Sequence, residues 1–170
     1  VKANGTRRKA DVIVAIEFRR YARFRSLDDE AFTPGICFFD ANGQRIVNYP
    51  KLHSDNCTAK HQETYEWYKP MVRIFKNARR HMIAKGIVDA KLAPSYYIEG
   101  LLYNVPAEHF GRNYVSSFTN CYDWLIQADR KKLLCANEQY FLLRGDPLVT
   151  WQDDSCVAFL KGIRELWTQW

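Results

Sequence analysis

The sequence predicts an α+β fold in which a small sheet precedes a helical region, and three observations carry this prediction. The chain has 170 residues, which suits one domain or two small lobes. Its first third is rich in β-branched and aromatic residues that are interrupted by turn residues. After residue 63, apolar residues recur at helical spacing instead. No repeat or low-complexity linker separates the halves, so we expect the strands to pack on the helices.

Turn residues divide the first third into strands. The pair Asn4-Gly5 suits a hairpin turn, because both residues readily take positive φ angles. Further turns are expected at 28–30, 33–35 and 41–43, where aspartate, proline, asparagine and glycine cluster. The predicted strands cover residues 9–18, 35–39 and 44–48.

Helical periodicity is clearest between residues 65 and 86. Apolar residues recur there one turn apart, and Lys85-Gly86 supplies a basic last turn and a glycine cap. Weaker patterns predict three further helices, at 95–103, 115–128 and 155–167. We therefore expect a strand-rich segment over 1–62 and a helical lobe over 63–170.

Composition limits the partners. The chain is 47% hydrophobic and 15% aromatic, which excludes a disordered or collagen-like protein. Its net charge of +6 favours anionic partners such as nucleotides, nucleic acid or acidic lipid. The apolar run Val12–Ile16 is too short to span a bilayer, so no membrane partner is expected. Five cysteines without a C-x-x-C pair favour a reducing, cytoplasmic environment over a disulfide framework.

Asp11 is an acid inside the apolar strand segment 10–16. An unpaired carboxylate is costly to bury there, so a cation should meet it. That cation is either one of the basic residues at 7–9 or a hard divalent metal ion, which favours carboxylates on rigid strands. One acid alone leaves both interpretations open.

A basic face is predicted on the helix after residue 65. At 3.6 residues per turn, four cations fall within an arc of about 60°, opposite the apolar stripe. They are Lys69, Arg73, Lys76 and Arg80. This face is either solvated surface or a binding surface for a triphosphate or a nucleic-acid backbone.

Residues 50–61 are expected to form a polar loop that lines a binding site. His53, Cys57 and His61 recur in it at four-residue intervals. A metal site there is disfavoured, because a fourth ligand and helical periodicity are both missing from the pattern. Cys57 is expected to be an ordinary thiol, since the sequence indicates no catalytic partner.

The segment 94–99 begins a predicted helix whose free N–H groups suit a phosphate. The hydroxyl of Ser95 and the ring of Tyr96 would lie beside that phosphate. The alternative is that Ser95 only caps the helix while Tyr96 and Tyr97 enter the core.

Four blocks of sequence, in order along nearly the whole chain, resemble one family. They cover residues 10–19, 46–53, 69–79 and 94–106. The family is the bacterial nucleotidyltransferases related to cyclic GMP-AMP synthase, which join nucleoside triphosphates into cyclic di- or oligonucleotide second messengers. The resemblance implies the end of a polymerase-β-like nucleotidyltransferase sheet packed on a helical carboxyl-terminal lobe.

The resemblance also implies roles for residues. Asp11 is similar to the third acid of a catalytic site that holds two magnesium or manganese ions. Lys76 is similar to a lysine that contacts the triphosphate, Ser95 to the serine that supports it, and Tyr96 to a ring that stacks on a base. Arg73, Asn56 and Lys60 complete the expected nucleotide-binding set.

One departure from the family pattern is large. The family's Gly-Ser motif and Asp-x-Asp pair would precede residue 1, so we expect a carboxyl-terminal part that is inactive alone. Nucleoside triphosphates and a regulatory protein are the partners that the resemblance implies, with a role in anti-phage signalling and no requirement for nucleic acid. The alternative function is a basic nucleic-acid-binding or scaffold module without catalysis.

Overall fold

The computed structural model describes residues 12–169. Asp11, the Asn4-Gly5 turn and the first residues of the predicted strand 9–18 lie outside this range. The described residues divide into two compact units, with the boundary between residues 50 and 51. The division predicted from the sequence was at 62/63, and the observed one assigns an additional helix to the second unit.

The first unit contains an antiparallel sheet in the order β1-β2-β3. The strands are β1 (Ile16–Ser26), β2 (Asp29–Phe39) and β3 (Arg45–Asn48). The turn predicted at 33–35 is wrong, because Pro34 lies inside β2 and pairs with Arg19. Since β3 pairs only with residues 36–39, this proline lies outside the stretch of β2 that has strands on both sides.

Two features fix the connection between β2 and β3. The turn predicted at 41–43 is confirmed, with Gly43 at φ +76° and Asp40 Oδ1 accepting from the N–H groups of Asn42 and Gln44. Gly35 approaches the other end of β3 closely. A Cβ atom there would lie 2.8 Å from the carbonyl oxygen of Asn48 and 2.9 Å from the ring of Tyr49.

The second unit is helical. Its helices are α1 (Pro50–Glu63), α2 (Tyr68–Ala84), α3 (Ser95–Tyr103), α4 (Tyr114–Gln127) and α5 (Asp153–Thr168), with single 3₁₀ turns at Ala107–His109 and Arg130–Lys132. The helix predicted over 95–103 is confirmed at both ends. The polar loop predicted over 50–61 is wrong, because these residues form α1. Its buried positions are His53, Cys57 and Lys60, so it shows no aliphatic stripe.

The core of the second unit is built around α2, which contacts α3, α4 and α5. Met71, Phe75 and Met82 are fully buried on its apolar face, as the periodicity predicted. Phe75 packs on Phe118 of α4, with ring centroids 4.8 Å apart. This packing leaves the basic face of α2 on the opposite side.

A tight turn separates α1 from α2. Tyr65 and Glu66 have positive φ angles of 48° and 69°, which ends α1 and delays the start of α2 to Tyr68. The buried hydroxyl of Thr64 joins the two helices. It donates to the carbonyl oxygen of Lys60 at 2.9 Å and accepts from the N–H of Tyr68 at 3.0 Å.

Across residues 12–169, every helix is too short or too polar to cross a bilayer.

Candidate functional site

A cleft of about 320 Å³ lies between α1 and α2. Three of the four cations predicted on one face of α2 line it, namely Lys69, Arg73 and Lys76. From α1, His53 and Cys57 contribute to the wall. The side with the basic residues is therefore concave, a shape that suits an anionic ligand.

Glu99 brings three helices together at this cleft. One carboxylate oxygen lies 2.5 Å from the ammonium nitrogen of Lys76 on α2, and the other lies 2.7 Å from His53 Nε2 on α1. The backbone carbonyl of Glu99 accepts from the hydroxyl of Tyr68 at 2.8 Å. Glu99 was not among the site residues predicted from the sequence. Its position one turn after Ser95, in an otherwise apolar helix, was the available signal.

The charges of His53 and Glu99 depend on each other. Burial pushes the pKa of His53 down, but its interactions with the nearby Cys57 and with Glu99 outweigh burial and raise it to about 9. Burial pushes the pKa of Glu99 up, and its bonds to His53 and Lys76 reverse this and lower the pKa below the ordinary value. At neutral pH, Glu99 is therefore a carboxylate held between two cations.

His53, Cys57 and Glu99 also form a group whose candidate ligand atoms lie within 4.8 Å of one another. His61, which shares the four-residue spacing, is not in this group, and its Nδ1 instead accepts from the N–H of Lys69 at 3.5 Å. Cys57 Sγ lies 3.3 Å from the hydroxyl of Tyr68. Three donors, one of them held by Lys76, fall short of the four that a structural zinc site uses.

Ser95 contacts Arg79 rather than Lys76. The guanidinium of Arg79 donates to the Ser95 hydroxyl at 3.4 Å and to the carbonyl oxygen of Ala93. Lys76 reaches α3 one turn later, at Glu99. Ser95 does not cap the helix, because the residue at the N-cap position is Pro94. Pro94 makes no side-chain capping hydrogen bond. Arg79 was not among the site residues predicted from the sequence.

Tyr96 has one face of its ring covered. That face stacks on His53, with centroids 4.4 Å apart and planes at 19°. The phenol oxygen accepts from Asn137 Nδ2 at 2.9 Å, and burial raises the pKa of the phenol. The ring of Tyr97 also contacts it edge-on, with centroids 5.5 Å apart and planes at 83°, so Tyr96 is a fixed ring.

The other predicted nucleotide-binding residues on α1 make contacts within the helical unit. Asn56 Nδ2 donates to the carbonyl oxygen of Ala136 at 2.8 Å. Lys60 is 8% exposed, and its ammonium lies 3.4 Å from the carboxylate of Glu63. Neither residue lines the cleft, nor do Ser95 and Tyr96. Arg73 and Lys76 are the two members of the predicted set that do.

Comparison with known families identifies the helical unit. Residues 55–168 match the C-terminal helical domain of the cGAS/DncV-like nucleotidyltransferases. The match covers more than half of the chain, so the chain belongs to this family. The α+β fold that the sequence predicted is that of a cyclic nucleotide synthase.

Two similar proteins are cyclic nucleotide synthases. The chain is 42% identical over its whole length to a cyclic UMP-AMP synthase of Rhodothermus marinus, covering 58% of that protein. It is 36% identical to cyclic nucleotide synthase CdnE01 of Staphylococcus haemolyticus, over 95% of this chain and 55% of that protein. The chain thus spans little more than half the length of these relatives.

Two solved structures are also similar. The Rhodothermus marinus c-UMP-AMP synthase, solved with Apcpp and Upnpp, matches 94% of this chain and 54% of its own at a TM-score of 0.86 and 42% identity. A cyclic dinucleotide synthase of Elizabethkingia meningoseptica, solved with GTP and Apcpp, matches 97% of this chain and 60% of its own at a TM-score of 0.79 and 28% identity. Both relatives were solved with nucleotides or nucleotide analogues.

Proposed function

We propose that the protein takes part in joining nucleoside triphosphates into a cyclic di- or oligonucleotide. The observation that carries this proposal is the concave basic face of α2, in a chain that belongs to the cGAS/DncV-like nucleotidyltransferases. Residues 1–62 would supply the last strands of the catalytic core followed by α1, and 63–170 the rest of the helical lobe. The comparisons give no support to the alternative of a non-catalytic nucleic-acid-binding module.

The cleft would bind the triphosphate of a nucleotide. Lys76 and Arg73 would contact phosphate oxygens, because charge-assisted bonds from these groups are strong and Arg can bind in a bidentate manner. Ser95 would support the phosphates beside Arg79, and the ring of Tyr96 would stack on the base. Asn56 and Lys60 would order α1 through their contacts at Ala136 and Glu63.

The catalytic site would hold two magnesium or manganese ions. Asp11 would be the catalytic acid and metal ligand that this chain supplies. Such ions would activate the attacking hydroxyl and stabilise the leaving pyrophosphate. Among residues 12–169 the three-donor group mixes nitrogen, sulfur and oxygen, which does not fit magnesium. We therefore assign no step to a metal at the described residues.

Further parts of the proposal rest on family resemblance. The product would act in bacterial anti-phage signalling, and a regulatory protein would control the enzyme. A reducing cytoplasm suits the five free thiols.

Binding of the ATP analogue Apcpp to this chain, measured by calorimetry, tests the cleft. Lys76→Ala should weaken binding by about 5- to 150-fold, equivalent to about 1–3 kcal/mol. Lys161→Ala, at an exposed position on α5, is the matched control and should have no effect. Equal affinity of the wild type and the Lys76 variant would refute the assignment. Tighter binding to single-stranded DNA than to Apcpp, with a steep salt dependence, would favour the nucleic-acid module.

A further inference from the structure

We infer that Glu99 is a positioning residue that links Lys76 to the ring of Tyr96 through His53. The inference rests on the proposed function, in which Lys76 contacts phosphates and Tyr96 stacks on a base. It adds that one carboxylate sets the geometry of both contacts.

The first link is between Glu99 and Lys76. Their side chains are 27% and 25% exposed, so this ion pair is shielded more than an ordinary surface pair. A free lysine side chain samples many rotamers, and the ion pair with Glu99 at 2.5 Å reduces this freedom. The ammonium of Lys76 is thereby held at the wall of the cleft, with its remaining N–H groups available to a ligand.

The second link is between Glu99 and His53. The side chain of His53 is 11% exposed, and its Nε2 bonds the second carboxylate oxygen at 2.7 Å. Its Nδ1 is buried without a hydrogen-bond partner, so the bond to Glu99 is what orients the imidazole. Without this bond the ring could rotate to satisfy Nδ1 instead.

The third link is between His53 and Tyr96. The two rings are stacked at 4.4 Å, and a protonated imidazole on a phenol face is attracted by the ring electrons. Loss of the negative charge at Glu99 would lower the pKa of His53 and weaken this attraction. Tyr96 would keep its hydrogen bond to Asn137 but would be held less firmly against His53.

Several titratable or charged groups lie around His53. Cys57 lies on α1, Tyr68 and Lys76 on α2, and Tyr96 and Glu99 on α3. Glu99 is the one carboxylate among them. The positive charge of His53 therefore depends on Glu99 together with Cys57, the two groups that raise its pKa.

The test combines magnetic resonance and binding on the whole chain. Glu99→Gln keeps the shape and removes the charge, and Glu165→Gln, at an exposed position on α5, is the control. In the wild type, the His53 imidazole should titrate near pH 9. The Glu99 variant should lower this midpoint by about one pH unit or more and shift the Tyr96 ring signals, while the control changes neither. An unchanged midpoint or unchanged Tyr96 signals would overturn the inference.

Affinity supplies a second readout. Glu99→Gln should weaken Apcpp binding several-fold. The double variant Lys76→Ala/Glu99→Gln should bind Apcpp only slightly more weakly than Lys76→Ala alone, because the two residues act as one unit. Fully additive losses would overturn the inference. If the wild type binds no Apcpp, the proposed function fails by itself, and the His53 and Tyr96 signals still decide the role of Glu99.

Two further controls complete the design. If Glu99→Gln does not fold, His53→Gln takes its place and should shift the Tyr96 signals while leaving the Lys76 ammonium signal unchanged. Unchanged Tyr96 signals in that variant would overturn the inference. EDTA should leave the His53 titration unaltered, and a change would mean that a metal ion, not a proton, joins His53 to Glu99.

Discussion

The hydroxyl of Ser95 lies 3.4 Å from the guanidinium of Arg79 on α2, so an arginine and not Lys76 holds the first residue of α3. The same guanidinium donates to the carbonyl oxygen of Ala93. Lys76 binds the next turn of α3 at Glu99. Two cations of α2 thus attach two successive turns at the start of α3.

Replacing Arg79 with lysine should loosen this attachment. A lysine has one nitrogen and does not span both Ala93 and Ser95, so we expect a loss of about 1–2 kcal/mol in the free energy of unfolding. Arg80→Lys, at an exposed position on the same helix, should leave stability unchanged. Urea denaturation followed by tryptophan fluorescence measures both. Equal midpoints for the two variants would contradict the role given to Arg79.

Stability should depend on pH through His53. A histidine whose pKa is raised by folding stabilises the protein fully below its unfolded pKa of 6.5 and loses that contribution as the pH rises through about 9. We expect the loss to be on the order of 2 kcal/mol between these limits. His53→Gln should flatten the pH dependence in this window. The same slope in the variant would show that another group is responsible.

Gly35→Ala should destabilise the sheet. The added methyl would lie 2.8 Å from a backbone oxygen of Asn48, which cannot move without disturbing β3. We expect a cost of about 1–3 kcal/mol, seen as faster hydrogen exchange over residues 35–48. Gly43→Asn is the control, because asparagine tolerates the left-handed φ and nothing lies within 4 Å. Comparable exchange in both variants would argue against the close approach.

The thiols should react slowly in the folded protein. All five cysteines are buried, and burial raises the pKa of Cys121, Cys135 and Cys156 to about 12. At pH 8, dithionitrobenzoate should react rapidly with all five thiols only after the protein has been unfolded in urea. A rapid full reaction of the native protein would contradict the buried placement.

The chain alone should be catalytically inactive. Under the family resemblance, Asp11 is one of three metal-binding acids, and one carboxylate does not assemble a two-metal site. Incubation with all four nucleoside triphosphates and magnesium or manganese should yield no cyclic or linear oligonucleotide by chromatography. Product that disappears on Asp11→Ala would show that other acids of this chain complete the site.

Short-range sequence patterns correctly predicted the features that short-range interactions determine. The apolar stripe of α2 fixed its basic face, and Pro94 followed by an apolar run fixed both ends of α3. Helix α1 was missed because its buried positions are largely polar, and tertiary contacts rather than an aliphatic stripe stabilise them.

Glu99 was missed for a different reason. Its partners His53 and Lys76 lie 46 and 23 residues away in the sequence, and no short-range pattern connects them. The same holds for Arg79, whose contacts are with residues at the start of another helix. The residues of a site that meet only through the tertiary fold leave no periodic signal.

The turn at Thr64 has a consequence for ligand size. Its hydroxyl bonds the last turn of α1 and the first residue of α2, so it fixes the angle at which the two walls of the cleft diverge. The spacing of those walls is thus set at the vertex as well as by the bonds that Glu99 makes to both walls. Substitutions at Thr64, Tyr65 or Glu66 would retune which ligands fit while every lining side chain stayed the same.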